Sequence, residues 1–436
     1  MNIKLRLTIL SFFQLFVWGA WLTTLGTYGF DIKKWSGEEF GMVFMTLGIA
    51  SIFMPAVVGM IADRWLNSEK LYGILHILYG VTLFLLAKAD NPNTFFWILL
   101  IAMFFYMPTI SLSNSLSYTI LKNNNYDVIK AFPPIRVWGT IGFIAAMWMT
   151  NIFSDRFSPL TFGIEIGNKI SSFTGNILNA NQFYFAGFFA IILGIYAFTL
   201  PKCPPQKLNK NSSFAEKLGL NAFSLFKNYK MALFFIFSMF LGAALQLTNM
   251  YGDTYLKDFK NIPEYIDSAV VRYSTMIISI SQISETLFIL TIPFFLKKFG
   301  IKRVMLMSML AWVMRFGFFS IGAPEGLGLL LIILSNIIYG MAFDFFNISG
   351  SLFVESTTDS KIRASAQGLF MMMTNGFGAI AGSFLSGKII SRFFTLANGT
   401  KDWYGIWLTF AIYALIVAVL FAVMFRHKHN PKEIAE

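Results

Sequence analysis

Apolar stretches of about 20 residues recur along the whole 436-residue chain, and no other feature limits its fold as strongly. The hydrocarbon core of a bilayer holds no water to bond exposed backbone N–H and C=O groups. A chain that crosses it repeatedly must therefore fold as helices or as a closed barrel. Runs of this length are those of membrane-crossing helices. We place about twelve spans near 6–30, 39–62, 70–88, 94–121, 133–153, 182–200, 230–256, 269–296, 302–321, 326–353, 363–392 and 403–425. With 56% hydrophobic residues, 13% charged residues and a mean hydropathy of +0.62, an all-α integral membrane protein is the fold class expected. The first span is not a cleavable signal, because Trp18, Gly19, Ala20 and Trp21 run on into Leu22 and Leu25 without a small-residue cleavage site.

The net charge of +12 collects in the short connections between spans, a topological pattern rather than a nucleic-acid surface. The longest basic connection, 201–230, carries Lys202, Lys207, Lys210, Lys217, Lys227 and Lys230 and divides the chain into two halves of six spans. We expect an N-terminal bundle over 1–200, a linker over 201–229 and a C-terminal bundle over 230–436. The face holding both termini and this linker carries about 21 lysines and arginines against about 11 on the other, so both termini should be cytoplasmic. The longest loop of the opposite face, 151–182, has room for a short external helix. Both halves repeat one device after their second span, GMIADRW from Gly59 to Trp65 and PFFLKKFGIKR from Pro293 to Arg303. These resemble the cytoplasmic loop signature of the major facilitator superfamily. There the glycine allows close helix approach and charges such as Asp63 and Arg64 lock neighbouring helices in one conformation.

Polar residues inside apolar spans mark where function lies. Asp344 is the lone charge between Gly326 and Phe353, and Glu285 the lone charge between Tyr273 and Leu296. An ionised acid near the bilayer centre costs roughly 3 kcal/mol or more, so such groups face a cavity and mark an ion, proton or substrate path. Side chains three, four or seven apart share a helix face. Arg136, Thr140 and Phe143 form one stripe, and Gln246 with Asn249 another. Gln282 pairs with Glu285, and Tyr339 with Phe343 beside Asp344, while the first span adds Gln14, Trp18 and Trp21. Amides match donor and acceptor edges, rings stack, and carboxylate or guanidinium binds hydroxyls, a set suited to a neutral, flat, polar solute. Each residue also has a structural reading: amides link membrane helices, aromatics pack, and Arg136 after Pro133-Pro134 can anchor a helix start. Arg315 reads as a structural pair or a snorkelling side chain, and His76 as a proton relay or a helix contact. Gly376, Gly378, Gly382 and Gly387 read as close helix packing or bending.

No enzyme constellation is present. The histidines are His76, His427 and His429, no P-loop occurs, and the single Cys203 excludes an intramolecular disulfide or a multi-cysteine metal cluster. We therefore expect neither catalytic residues, nor a cofactor, nor a metal. A secondary transporter remains, driven by a carboxylate that gains and loses a proton as access alternates, because burial disfavours a charged acid.

The blocks LSFFQLFVWGAWLTTLG, FPPIRVWGTIGF, FFIFSMFLGAALQLTNM, ISQISETLFILTIPFFL, GMAFDFFNISGSLFVE and IRASAQGLFMMMTNGFG resemble the bacterial nucleoside permeases. These are nucleoside:proton symporters of the major facilitator superfamily, and the likeness runs from Met1 to about Lys428. It implies twelve helices in two six-helix bundles and an inner-membrane site between them. It implies also that the nucleoside site falls on Arg136, Thr140, Phe143, Gln246, Asn249, Gln282, Glu285, Tyr339 and Phe343, where Gln246, Asn249 and Gln282 meet base or ribose edges, Phe143 and Phe343 pack on rings, and Arg136 and Glu285 organise hydroxyls or charge. Asp344 takes the proton, with Glu285 as the second choice. The pattern departs at Ala244, where relatives are expected to carry an acid, and at Asp31, which has no evident counterpart. The expected partners are a nucleoside, a proton and the lipid bilayer, with no nucleic acid, for a monomer. A symporter for another polar solute such as a sugar, a polyspecific exporter, and a membrane receptor or structural protein are the competing readings.

Overall fold

The computed structural model describes residues 2–152, 180–205, 220–359 and 362–427. The twelve spans appear in it as helices. These are α1 (Ile3–Gly19), α2 (Gly37–Arg64), α3 (Ser68–Leu86), α4 (Pro92–Asn123), α5 (Val128–Ile152), α6 (Gln182–Ala197) and α7 (Tyr229–Asp258). They continue as α8 (Ser274–Ile289, then Ile292–Phe299), α9 (Ile301–Ser320), α10 (Gly326–Thr357), α11 (Arg363–Met371 to Ala379–Phe393) and α12 (Trp403–Met424). Among the described residues eight helices are long and apolar enough to cross a membrane, or nine if α8 counts as one bent span. Leu290, Phe294, Leu327 and Val423 are exposed, as an outer surface meant for lipid requires.

Three spans depart from straight helices. After Gly19 the path of α1 loosens into a turn and resumes as Leu25–Thr27 and the π-helical Tyr28–Ile32. The span expected over 269–296 is a short helix, Ala269–Arg272, followed by the two pieces of α8, bent by 56°. Pro293 in the first turn of the second piece explains the bend, since it has no N–H to continue the ladder. In α11, Met372–Gly378 is π-helical, so Gly376 and Gly378 lie in a widened turn. Helix α5 begins at Val128, before the expected start at Pro133-Pro134. Both prolines therefore lie inside the helix, where the carbonyls four residues before them lose their helical donors.

The chain divides into two compact units, Met1–Trp35 with Met42–Lys217, and Ser36–Gly41 with Leu218–Glu436. In the first, α1 lies along α5, and α3 along α4 and α6. A Cβ on Gly73 would stand 2.8 Å from the Gly194 carbonyl, and one on Gly80 2.7 Å from that of Gly187, with the reverse pairs equally tight. Only glycine permits this backbone contact, the small-residue packing by which membrane helices associate. The segment after α6 docks on the start of α3, where the Cys203 N–H donates to Glu69 Oε2 (2.8 Å). Burial, with the Glu69 carboxylate adding to it, pushes the Cys203 thiol up to about 12. In the second unit α10 packs on α9 and α8, α9 on α12, and α7 on α11. Gly378 and Gly382 of α11 abut Met239, Gly242 and Ala243 of α7, the close packing expected of that glycine series.

The calls on residues 153–179, including the external helix, and on Lys207, Lys210 and Lys217 lie outside the described residues, as does the side chain of Asp63. A Cβ on Gly59 would meet nothing within 4 Å, so no close approach demands glycine there in this arrangement. Arg64 is exposed at the end of α2.

Candidate functional site

In the first unit the stripe of α5 is present: Phe143 is buried, and Arg136 and Thr140 are half-buried. Trp18 of α1 stands edge-on to Phe143 (6.2 Å, 82°), and its buried Nε1 has no protein partner among the described residues. A cavity opens beside them, lined by Ser11, Gln14, Ser113, Asn114, Ser117 and Arg136 among others. Thr140 and Phe143 do not line it. Gln14 is held from two sides: its Nε2 donates to Thr109 Oγ1 (3.0 Å) and its Oε1 accepts from the Tyr72 hydroxyl. Thr109 already donates to the Tyr106 carbonyl (2.6 Å), so it can only accept from Gln14, and this fixes the amide's orientation. Trp21 is committed elsewhere, donating to Tyr79 Oη (2.8 Å). His76 stacks on Tyr72 (4.3 Å) with Nδ1 at 3.3 Å from its carbonyl, a packed helix contact.

In the second unit Gln246 and Asn249 lie on α7, Gln282 and Glu285 on α8, and Tyr339, Phe343 and Asp344 on α10. The crossing of α8 and α10 brings the last two sets together. A Cβ on Gly340 would stand 2.6 Å from the Ser284 backbone and 2.7 Å from the Glu285 nitrogen, and the Ser284 hydroxyl donates to the Ile337 carbonyl. Asp344 is only 4% exposed. The Tyr339 and Phe343 rings stack (6.2 Å, 13°), and Trp312 meets Tyr339 edge-on (5.9 Å). Gln246 Oε1 and Gln282 Oε1 are buried without a protein partner among the described residues.

Arg315 ties this cluster together, and the snorkelling reading fails because the side chain is fully buried. Its guanidinium lies 4.7 Å over the Tyr339 ring and 5.0 Å from that of Phe319. It donates to Thr248 of α7 (Nε, 3.2 Å), Ser281 of α8 (Nη1, 3.3 Å) and the Ser335 carbonyl of α10 (Nη1, 2.7 Å). One cation thus joins the three helices that carry the candidate residues. The sequence signal was available, a lone charge in an apolar span, but its partners lie on other helices and leave no trace in spacing. A second cavity in this unit is lined by Trp312, Phe343, Phe346, Asn347, Thr374 and Asn375 among others. Of the residues expected from sequence only Phe343 lines it. Asn347 was legible as the next step of the Tyr339–Phe343 stripe, whereas Thr374 and Asn375 depend on the π-helical turn. Among the described residues no cluster of histidine, cysteine or acid could hold a metal.

Comparison with known proteins bears on what such a site handles. A model of the family described as "Nucleoside H+ symporter" matches residues 1–430. The chain is 49% identical over 434 residues to the xanthosine permease of Escherichia coli (strain K12), covering all of this chain and 98% of that permease. It is 48% identical to the nucleoside permease NupG of the same organism, over 98% of this chain and 97% of that one. A crystal structure of a NupG mutant superposes with a TM-score of 0.89 over 98% of this chain and 100% of that one.

Proposed function

The chain belongs to the nucleoside H+ symporter family, and from that premise we propose how its residues divide the work. It is a transporter rather than an enzyme, a multi-pass protein of the inner membrane that imports nucleosides together with protons. Both purine and pyrimidine nucleosides are carried, by alternating access. Arg136, Thr140 and Phe143 of the first unit and Gln246, Asn249, Gln282, Glu285, Tyr339 and Phe343 of the second contact the substrate. Asp344 binds the proton, with Glu285 as the second candidate. Gly59, Asp63 and Arg64 form the conformational loop, the bundles run over 1–200 and 230–436 about a linker at 201–229, the termini are cytoplasmic, and the protein works as a monomer.

The observation that carries this assignment is the pair of buried amide oxygens without a protein partner among the described residues, Gln246 Oε1 and Gln282 Oε1, together with the stacked Tyr339 and Phe343 rings in the same unit. A buried acceptor without a donor costs about 1–3 kcal/mol, and a ligand offering hydroxyl or N–H donors removes that cost. The buried carboxylate of Asp344 next to this cluster is the group whose charge must change for it to be tolerated in both states.

Uptake of labelled uridine and adenosine into proteoliposomes under an imposed pH gradient tests the assignment. Wild type should accumulate both. Asp344→Asn should lose gradient-driven accumulation while retaining nucleoside exchange, and Gln282→Ala should raise KM about tenfold, the loss of one buried hydrogen bond. Full gradient-driven accumulation by Asp344→Asn would move the proton to Glu285, and uptake indifferent to the gradient in wild type would end the symport reading.

A further inference from the structure

We propose that the small cavity of about 30 Å³ bounded by Trp312, Phe343, Phe346, Asn347, Thr374 and Asn375 receives the polar edge of the nucleobase, and that Asn347 and Asn375 set which bases are accepted. This rests on the nucleoside reading above and assigns a part of the substrate to residues that reading leaves unused.

Tyr339, Phe343 and Asn347 are four apart on α10, so the stacked Tyr339 and Phe343 rings lead along one helix face to an amide. Opposite them, Thr374 and Asn375 sit on the π-helical turn of α11. That turn is pinned. A Cβ on Gly242 of α7 would collide with the Thr374 carbonyl, and the Thr374 hydroxyl bonds back to the carbonyls of Phe370 (3.1 Å) or Met371 (3.2 Å). Single π turns inside membrane helices commonly reposition side chains at functional sites.

The two amides are uncommitted. Asn347 makes no side-chain hydrogen bond among the described residues, and Asn375 Nδ2 reaches only Met371 Sδ at 3.7 Å, a weak acceptor. Aromatic walls with free amides suit a flat heterocycle whose rim carries N–H and C=O groups; a sugar ring needs the amides but not the walls. An amide that the protein does not orient can turn over in place and present either its N–H or its C=O. The same cavity then accepts amino-bearing bases such as adenine and cytosine and carbonyl-bearing bases such as uracil and hypoxanthine. Gln14 of the first unit is the contrast, an amide locked by Tyr72 and Thr109.

The test is KM for adenosine, cytidine, uridine and inosine in gradient-driven uptake by wild type, Asn347→Ala, Asn375→Ala, Asn347→Asp and Asn375→Asp. The Asp variants keep the shape of asparagine but only accept when ionised. They should shift the ratio of KM values about tenfold in favour of adenosine and cytidine, the discrimination expected of one amide–base pair. The Ala variants should raise KM for all four with kcat kept. Unchanged ratios, within twofold, in both Asp variants while wild type transports all four would overturn the proposal and leave the nucleoside reading intact. Failure of wild type to transport any nucleoside would overturn both.

Discussion

Arg315 combines charge, full burial and a position among three neighbouring helices. A guanidinium with no exposure is costly unless its donors are met, and here hydroxyls and a carbonyl from three helices meet Nε and Nη1, while two aromatic rings lie beside the cation and the buried Nη2 has no protein partner among the described residues. Arg315→Ala should therefore lower stability by about 2–4 kcal/mol, read as a reduced melting temperature of the detergent-solubilised protein, with Arg315→Lys intermediate. A melting temperature unchanged by the alanine would show that the network holds nothing together. At this scale the sequence marks as candidates the polar residues set in apolar runs, such as Arg136, Gln282 and Asp344. It is silent on Thr374 and Asn375, which reach the cavity only through the π-helical turn of the folded unit, and on the commitment of Trp21 to Tyr79.

Helices α3 and α6 show what an element contributes beyond its span length. Their glycines, seven apart on each helix, place backbone against backbone, so Gly80→Leu should force the pair apart and reduce the yield of folded protein in fluorescence-detected size exclusion. Gly59→Ala is the control within the same unit. Its Cβ meets nothing, so the melting temperature should stay within error. Should Gly59→Ala nonetheless slow transport, the glycine is needed in another conformation, as the loop signature implies. Span positions were legible to within several residues because apolarity over about 20 residues is a strong signal. The bend at Pro293 and the π turn at Met372–Gly378 were not, since a proline or glycine only permits a distortion and packing selects it.

For the molecule as a whole, the bias of lysine and arginine toward the face holding both termini predicts that tags at either end react with impermeant reagents only in inverted vesicles. Labelling of either tag in intact cells from outside would reverse the orientation. That bias, the number of spans, the absence of an enzyme constellation and the likeness to nucleoside permeases are all properties of the chain read in order. Hydropathy and charge act on each segment separately and need no knowledge of its neighbours. Which polar side chains share a cavity is a different kind of fact. The Arg315 bridge, the crossing at Gly340 that sets Glu285 beside Tyr339, and the cavity that joins Phe343 to Asn375 all require residues far apart in sequence to meet. In a membrane such meetings are set by close packing and hydrogen bonding between helices already inserted. They are therefore decided by the tertiary structure alone.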